Sequence, residues 1–89
     1  MFPAVVIGNV WATRKDSRIE AIKLLIVKPL DYLNEKSEAT PIIAADWIGA
    51  GVGERVIVVS GSTARCAAGD RSIPVDASII AIIDGEEIA

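Results

Sequence analysis

Hydrophobic residues in this chain are gathered into five short runs, and polar or glycine-rich stretches separate each run from the next. The runs are rich in Val and Ile, whose branched side chains favour β-strands. They span Ala4 to Thr13, Ile22 to Pro29, Pro41 to Ile48, Glu54 to Ser60 and Val75 to Asp84. The pattern therefore predicts five strands and an all-β fold.

Most of the predicted strands are apolar on both faces. In the fourth run, Val56 and Val58 share one face of the strand, while Ile57 and Val59 share the other. A strand with one solvated face would instead alternate apolar and polar residues. We therefore expect these strands to be covered on both faces.

The segment from Ser62 to Gly69 differs in composition from the runs around it. Ser62 can cap a helix, the alanines favour one, and Gly69 can end it, so we expect one or two helical turns. A turn is expected from Asp70 to Pro74. Five strands of this length usually close into a barrel, because closure removes the exposed strand edges. The predicted fold is a small five-stranded OB-like β-barrel with one short helix between strands four and five.

The apolar content is high for so short a chain. The sequence has 89 residues, enough for a single domain spanning 1–89, and 52% of them are hydrophobic. A domain of this size buries only about 60–65% of the surface that its unfolded chain exposes. More apolar side chains are therefore present than one small core can hide, which indicates burial against other copies or another partner.

Charge and residue usage exclude several classes of protein. The net charge of -3 and the pI of about 4.8 are not those of a nucleic-acid-binding domain with a basic face. The chain has no His, which is the commonest general base and metal ligand. Its single cysteine, Cys66, cannot form an internal disulfide and is expected to be a small buried thiol. No secretory signal and no apolar run of about 18 residues is present, so no membrane partner is expected.

Glycine occupies every second position at Gly49, Gly51 and Gly53, between the third and fourth predicted strands. A dinucleotide site needs G-x-G-x-x-G at the start of a helix, and a P-loop needs Gly-Lys followed by Ser or Thr. Neither pattern occurs here, and a strand-like run follows the glycines. The stretch is better interpreted as a tight backbone connection in which only glycine tolerates the geometry or the close approach.

Residues that could carry chemistry are few. Asp46, Asp76 and Asp84 border apolar runs and could form an acid/base cluster, although aspartates at strand ends more often make turns. Trp11 and Trp47 could stack on bases, although strand tryptophans more often lie in a core or an interface. No catalytic, cofactor or metal site is predicted. An OB-fold module that binds single-stranded nucleic acid and a small nucleotide-binding module remain the alternatives.

Five sequence motifs resemble those of one protein family. They are V-x-G-x-V-W-A-T-R-K-D at Val6 to Asp16, K-L-L-I-V at Lys23 to Val27, A-x-D-x-I-G-A-G-V-G-E-x-V at Ala44 to Val56, S-G-S-x-A-R at Ser60 to Arg65 and P-V-D-A-x-I-x-x-I-I-D at Pro74 to Asp84. Together, and in this order, they resemble the vertex proteins of bacterial microcompartments, the EutN/CcmL family. The motifs cover nearly the whole chain, although Trp47 stands where the family often has a smaller residue.

This resemblance implies an OB-like barrel that assembles into a homopentamer and closes the vertices of a polyhedral protein shell. A head-to-tail contact between identical subunits can close into such a ring. The implied partners are the chain itself, hexameric shell proteins and enclosed enzymes, with no nucleic acid. The implied location is the cytoplasm, within the microcompartment shell. The family is structural, so the resemblance implies neither enzymatic activity nor a cofactor.

The resemblance also implies which residues lie at the subunit interface or the pore. They are Gly49, Ala50, Gly51, Val52, Gly53, Glu54, Ser60, Gly61, Ser62, Thr63 and Arg65. The small residues from Gly49 to Gly53 would permit close approach of two backbones.

Arg65 would be a hydrogen-bond or ion-pair donor across the interface. Its candidate acceptors are Asp46, Glu54 and Asp76. The alternative is that Arg65 clamps a loop within its own chain.

Overall fold

Five strands and two short helical segments make up the computed structural model, which describes residues 1–12, 14–19, 21–69 and 73–88. The strands are β1 (Phe2–Val10), β2 (Lys23–Pro29), β3 (Ile42–Asp46), β4 (Arg55–Ser60) and β5 (Ala77–Ile82). A 3-10 turn (Ser17–Ile19) lies between β1 and β2, and helix α1 (Ser62–Ala67) lies between β4 and β5.

The strands form a closed barrel in the order β1-β2-β3-β5-β4. Antiparallel pairing joins β1 to β2 and to β4, β2 to β3, and β4 to β5. The barrel closes through a parallel pairing of β3 with β5, in which Ala45 lies opposite Ser78 and Asp46 opposite Ile79. The predicted five-stranded OB-like barrel with a helix between strands four and five is confirmed.

The core fills the inside of the barrel with one set of alternating side chains from each strand. The largest fully buried apolar side chains are Leu25, Ile79, Val6, Val27, Val56 and Val58. Helix α1 adds Ala64, which is also completely buried. Since side chains alternate across a strand, the neighbours of these residues point away from the core.

Those outward side chains are also apolar in several strands, and the single chain does not cover them. Ile7, Ile43 and Ile80 follow or precede core residues and are 46%, 52% and 39% exposed. These outer faces are therefore uncovered in the isolated subunit, and their coverage by other copies stays a prediction. The excess of apolar side chains inferred from composition lies on the outside of the barrel.

Some predicted boundaries differ from the observed ones. The third strand ends at Asp46 because its carboxylate accepts hydrogen bonds from the next backbone amides and turns the chain. The fifth strand begins at Ala77. The backbone carbonyl of the preceding residue, Asp76, accepts a hydrogen bond from the Gly61 amide at 2.8 Å.

The helix prediction holds for the position of α1 but not for its cap. The N-cap is Gly61, with φ of 66°, and no side chain caps the helix, so the role predicted for Ser62 is wrong. Gly69 follows the helix with φ of 81°, as expected of a glycine that ends one. The predicted turn from 70 to 74 falls partly outside the described residues.

Cys66 is exposed on α1, so the prediction of a buried thiol is also wrong. A helix of six residues presents only one narrow side to the barrel, and Ala64 occupies it.

Within the described ranges, no helix is long and apolar enough to cross a membrane.

Candidate subunit interface

The glycine-rich loop joins β3 to β4 and contains two glycines that the backbone requires. Gly49 and Gly53 have φ of 85° and 90°, a region that residues with a side chain rarely adopt. Gly51 has no such φ, and a Cβ there would meet only the Glu54 Oε1 atom, at 3.3 Å. The Gly53 amide donates to the Val6 carbonyl at 2.8 Å, which fixes the end of the loop to β1. The predicted tight connection is therefore observed.

A buried carboxylate holds the start of this loop. The Asp46 side chain is fully buried, and its Oδ1 accepts hydrogen bonds from the Ile48 and Gly49 amides, both at 3.1 Å. Within the part of the chain that the structure describes, Asp46 Oδ2 has no hydrogen-bond partner, and Lys23 Nζ lies 3.7 Å away. The same ammonium donates to the Ala50 carbonyl at 2.8 Å. Lys23 and Asp46 thus fix the loop from two adjacent strands.

The loop presents few side chains to solvent. Ala50 is completely buried and belongs to the core, so it offers no surface to another molecule. Val52 is 61% exposed, and Gly53 beside it is exposed as well. Glu54 is exposed while its Oε1 accepts from the Gly51 amide at 2.7 Å. Val52 is therefore a single projecting apolar side chain bordered by accessible backbone.

The second predicted segment follows β4 and enters α1. Ser60, Gly61, Ser62 and Thr63 are all exposed. Arg65 is half-buried, and no ion pair or side-chain hydrogen bond joins it to another residue of the described ranges. The structure therefore gives no support among those residues for a clamp within the chain.

The two segments meet on the outside of β5. The Trp47 indole Nε1 donates to Ser78 Oγ at 3.2 Å, and this hydroxyl donates to the Ala64 carbonyl of α1 at 2.9 Å. Ser78 is completely buried between them. Ser78 and Lys23 were not among the site residues predicted from the sequence. The available signal for Ser78 was a small polar residue in an apolar strand, since a buried hydroxyl is nearly always hydrogen-bonded.

The three strand-end aspartates do not form an acid/base cluster. Asp46 is buried, whereas Asp76 and Asp84 are exposed. No group of three His, Cys, Asp or Glu residues suited to a metal ion is found in the described ranges. The buried Asp46 is also unavailable as an acceptor for Arg65 of another subunit, which leaves Glu54 and Asp76.

One carboxyl group has a strongly shifted pKa, and it lies away from this surface. Asp16 accepts hydrogen bonds from the Arg18 guanidinium and backbone amide at the exposed tip between β1 and β2. The side-chain hydrogen bond from Arg18 is the main reason that the pKa of Asp16 falls below its usual value. This pair lies in the connection between β1 and β2, outside the two segments of the predicted interface.

Comparison with known proteins identifies the family. The family described as "Ethanolamine utilisation protein EutN/carboxysome" matches residues 1–84. The chain belongs to this family. It is 38% identical over 86 residues to the carboxysome shell vertex protein CcmL of Synechocystis sp., covering 97% of this chain and 85% of that protein. It is 40% identical over 81 residues to the bacterial microcompartment shell vertex protein EutN of Escherichia coli, covering 91% and 84%.

Family membership extends to the three-dimensional structure. The pentameric microcompartment shell protein GrpN from Rhodospirillum rubrum superposes with a TM-score of 0.88 at 34% identity. The match covers 100% of both chains. The resemblance inferred from the motifs is confirmed, and the relatives are shell vertex proteins of bacteria.

Replacing Asp46 tests whether this carboxylate holds the loop. In Asp46→Ala, two backbone amides lose their acceptor, so we expect the free energy of unfolding to fall by about 1–3 kcal/mol. Urea denaturation at a fixed subunit concentration measures the change. The exposed Asp84→Ala is the control and should change it by less than about 0.5 kcal/mol, because Asp84 lies outside the proposed interface segments. Equal effects of the two substitutions would contradict the assigned role of Asp46.

Proposed function

We propose that this chain assembles into a homopentameric ring that occupies the vertices of a bacterial microcompartment shell, with residues 1–89 acting as one vertex domain. The observation that carries the proposal is the end-to-end structural match to a pentameric shell protein. Relatives named as shell vertex proteins support it, because they match over most of their own length.

The outer surface of the barrel supports self-association. Ile7, Ile43 and Val52 are large apolar side chains that the single chain leaves exposed. In a ring, each subunit uses two different surfaces, one toward each neighbour, and both are removed from water. Ring assembly would therefore bury side chains that otherwise disfavour solubility.

The function proposed is geometric. A shell tiled only with six-sided units stays flat, and five-sided units at its vertices allow it to close. The proposed partners are therefore hexameric shell proteins at the ring's edges, with enclosed enzymes inside the shell. We propose no catalytic role and no cofactor for the chain.

The proposed interface combines the glycine-rich loop with the segment that enters α1. Both segments expose small residues, and the Trp47–Ser78–Ala64 contacts hold them side by side. Arg65 would donate to Glu54 or Asp76 of the neighbouring subunit, since both carboxylates are exposed. A charge-assisted bond of this kind fixes orientation as well as affinity.

Native mass spectrometry of the purified chain tests the proposal directly. We expect a dominant species of five subunits, because the exposed apolar side chains favour a closed ring over a monomer. A monomer that persists at high concentration would contradict the proposal. Titration with a single-stranded oligonucleotide at low salt would then test the alternative OB-fold function.

A valine at Gly51 tests the loop's part in the ring. Gly51 lacks a positive φ, and an added Cβ would meet only the end of the exposed Glu54 side chain, so Gly51→Val should leave the barrel folded. The added branched side chain should hinder close approach of a neighbouring subunit, and native mass spectrometry should detect fewer rings. Gly85→Val introduces the same side chain into open space and serves as the control. Undiminished ring formation by the Gly51 variant would refute the interface assignment.

Replacing Arg65 distinguishes an interface donor from a clamp within the chain. Arg65→Ala should weaken each subunit contact by about 1.5–3 kcal/mol, the usual worth of a hydrogen bond to a charged group. The concentration at which the ring dissociates measures this loss. The control is Arg14→Ala, because Arg14 is exposed in the connection between β1 and β2. An unchanged ring with a lower melting temperature would instead identify the clamp.

A further inference from the structure

We propose that Ser78 is a positioning residue that couples the glycine-rich loop to helix α1, so that the two segments keep one fixed relative geometry. The consequence for ring assembly rests on the proposed function. The coupling itself is a property of the single chain.

The hydrogen-bonding capacity of one hydroxyl matches the two groups around it. A serine hydroxyl donates one hydrogen bond and accepts up to two. Ser78 Oγ accepts from Trp47 Nε1 at 3.2 Å and donates to the Ala64 carbonyl at 2.9 Å. The indole can only donate and the carbonyl can only accept, so the direction of both bonds is fixed. Only a side chain with both capacities can bridge this pair.

Each end of the bridge is fixed to one of the two segments. Trp47 directly follows Asp46, whose carboxylate holds the Ile48 and Gly49 amides at the start of the loop. At the other end, Ala64 is completely buried, and its carbonyl also accepts from the Ala68 amide at 3.2 Å. The bridge therefore joins the first residues of the loop to the backbone of α1.

Helix α1 depends on such contacts for its position. Its six residues are too few to form a stable helix alone, and no side chain caps its N-terminus. Its orientation must therefore come from packing and from bonds to the barrel. The Ser78 hydroxyl provides a directional bond, whereas apolar packing alone is non-directional.

Trp47 supplies the hydrogen-bond donor at the loop end of the bridge. The indole is partly exposed, at 36%, although its N–H is directed to a buried hydroxyl. Its side chain is long enough to reach from the loop to β5. A small side chain at this position would not reach the Ser78 hydroxyl. The coupling is thus built from an indole that lies between solvent and a buried hydroxyl.

The test compares two substitutions that have the same shape. Ser78→Thr and Ser78→Val both add methyl groups at a buried site, but only threonine keeps the hydroxyl. Both are made in a Trp11→Phe background, which leaves Trp47 as the only remaining tryptophan of two. Three quantities are measured: Trp47 fluorescence emission, amide hydrogen exchange, and the concentration at which the ring dissociates.

We expect the valine variant to differ from the threonine variant in all three. Its Trp47 emission should shift to longer wavelength, because the indole N–H turns to water. Exchange should rise by about tenfold in both the loop and α1, the change expected from losing one buried hydrogen bond. The ring should dissociate at a concentration about tenfold higher. If Ser78→Val does not fold, Trp47→Phe is tested in its place. Amide hydrogen exchange should then be faster in α1 as well as in the loop.

Equal exchange in the valine and threonine variants would overturn the inference, as would a change confined to α1 or to the loop. Those outcomes would give Ser78 the role of a satisfied core residue. The proposed function fails separately, when the unaltered chain forms no ring. Fluorescence and exchange still report the coupling in that case, because both are properties of one subunit.

Discussion

The parallel pairing of β3 with β5 is the constraint on which the rest of this structure depends, because it closes the barrel. A closed barrel has no free strand edge, so a neighbouring subunit cannot add a strand to it. Contacts with other molecules are left to loops and to outward side chains. The same pairing places Ser78 opposite Ala45, beside Trp47, and so brings the loop after β3 next to the helix before β5.

Closure also explains the unusual pattern of the strands. The interior of so small a barrel has room for the side chains of only one face of each strand. Val6, Leu25 and Ile79 lie there. Every other residue must point outward, and Ile7, Ile43 and Ile80 remain apolar there. These side chains are consistent with a subunit whose outer surface is selected for burial in a larger assembly.

The sequence was sufficient for features that depend on neighbouring residues. Runs of Val and Ile bounded by polar or glycine-rich stretches predicted the five strands, and the glycines predicted the tight loop, in which Gly49 and Gly53 have positive φ. It was insufficient where distant residues meet. The Lys23 to Ala50 and Trp47 to Ser78 bonds span 27 and 31 residues, and both depend on strand register, which no local pattern specifies. The wrong cap at Ser62 has a local cause, since Gly61 turns the chain into α1 without any side-chain bond.

The loop around which the proposed interface is built owes its rigidity to buried hydrogen bonds more than to charge. Lys23 Nζ lies 3.7 Å from Asp46 Oδ2, and its side chain is half exposed, so their attraction is weakened by solvent. The two amides that donate to Asp46 Oδ1 are close to a fully buried carboxylate, where losing a partner is costly. A vertex subunit must present one fixed shape to its neighbours, and directional bonds to backbone groups provide that at any ionic strength. Geometry held in this way lets a chain with few chemically reactive groups perform a structural function.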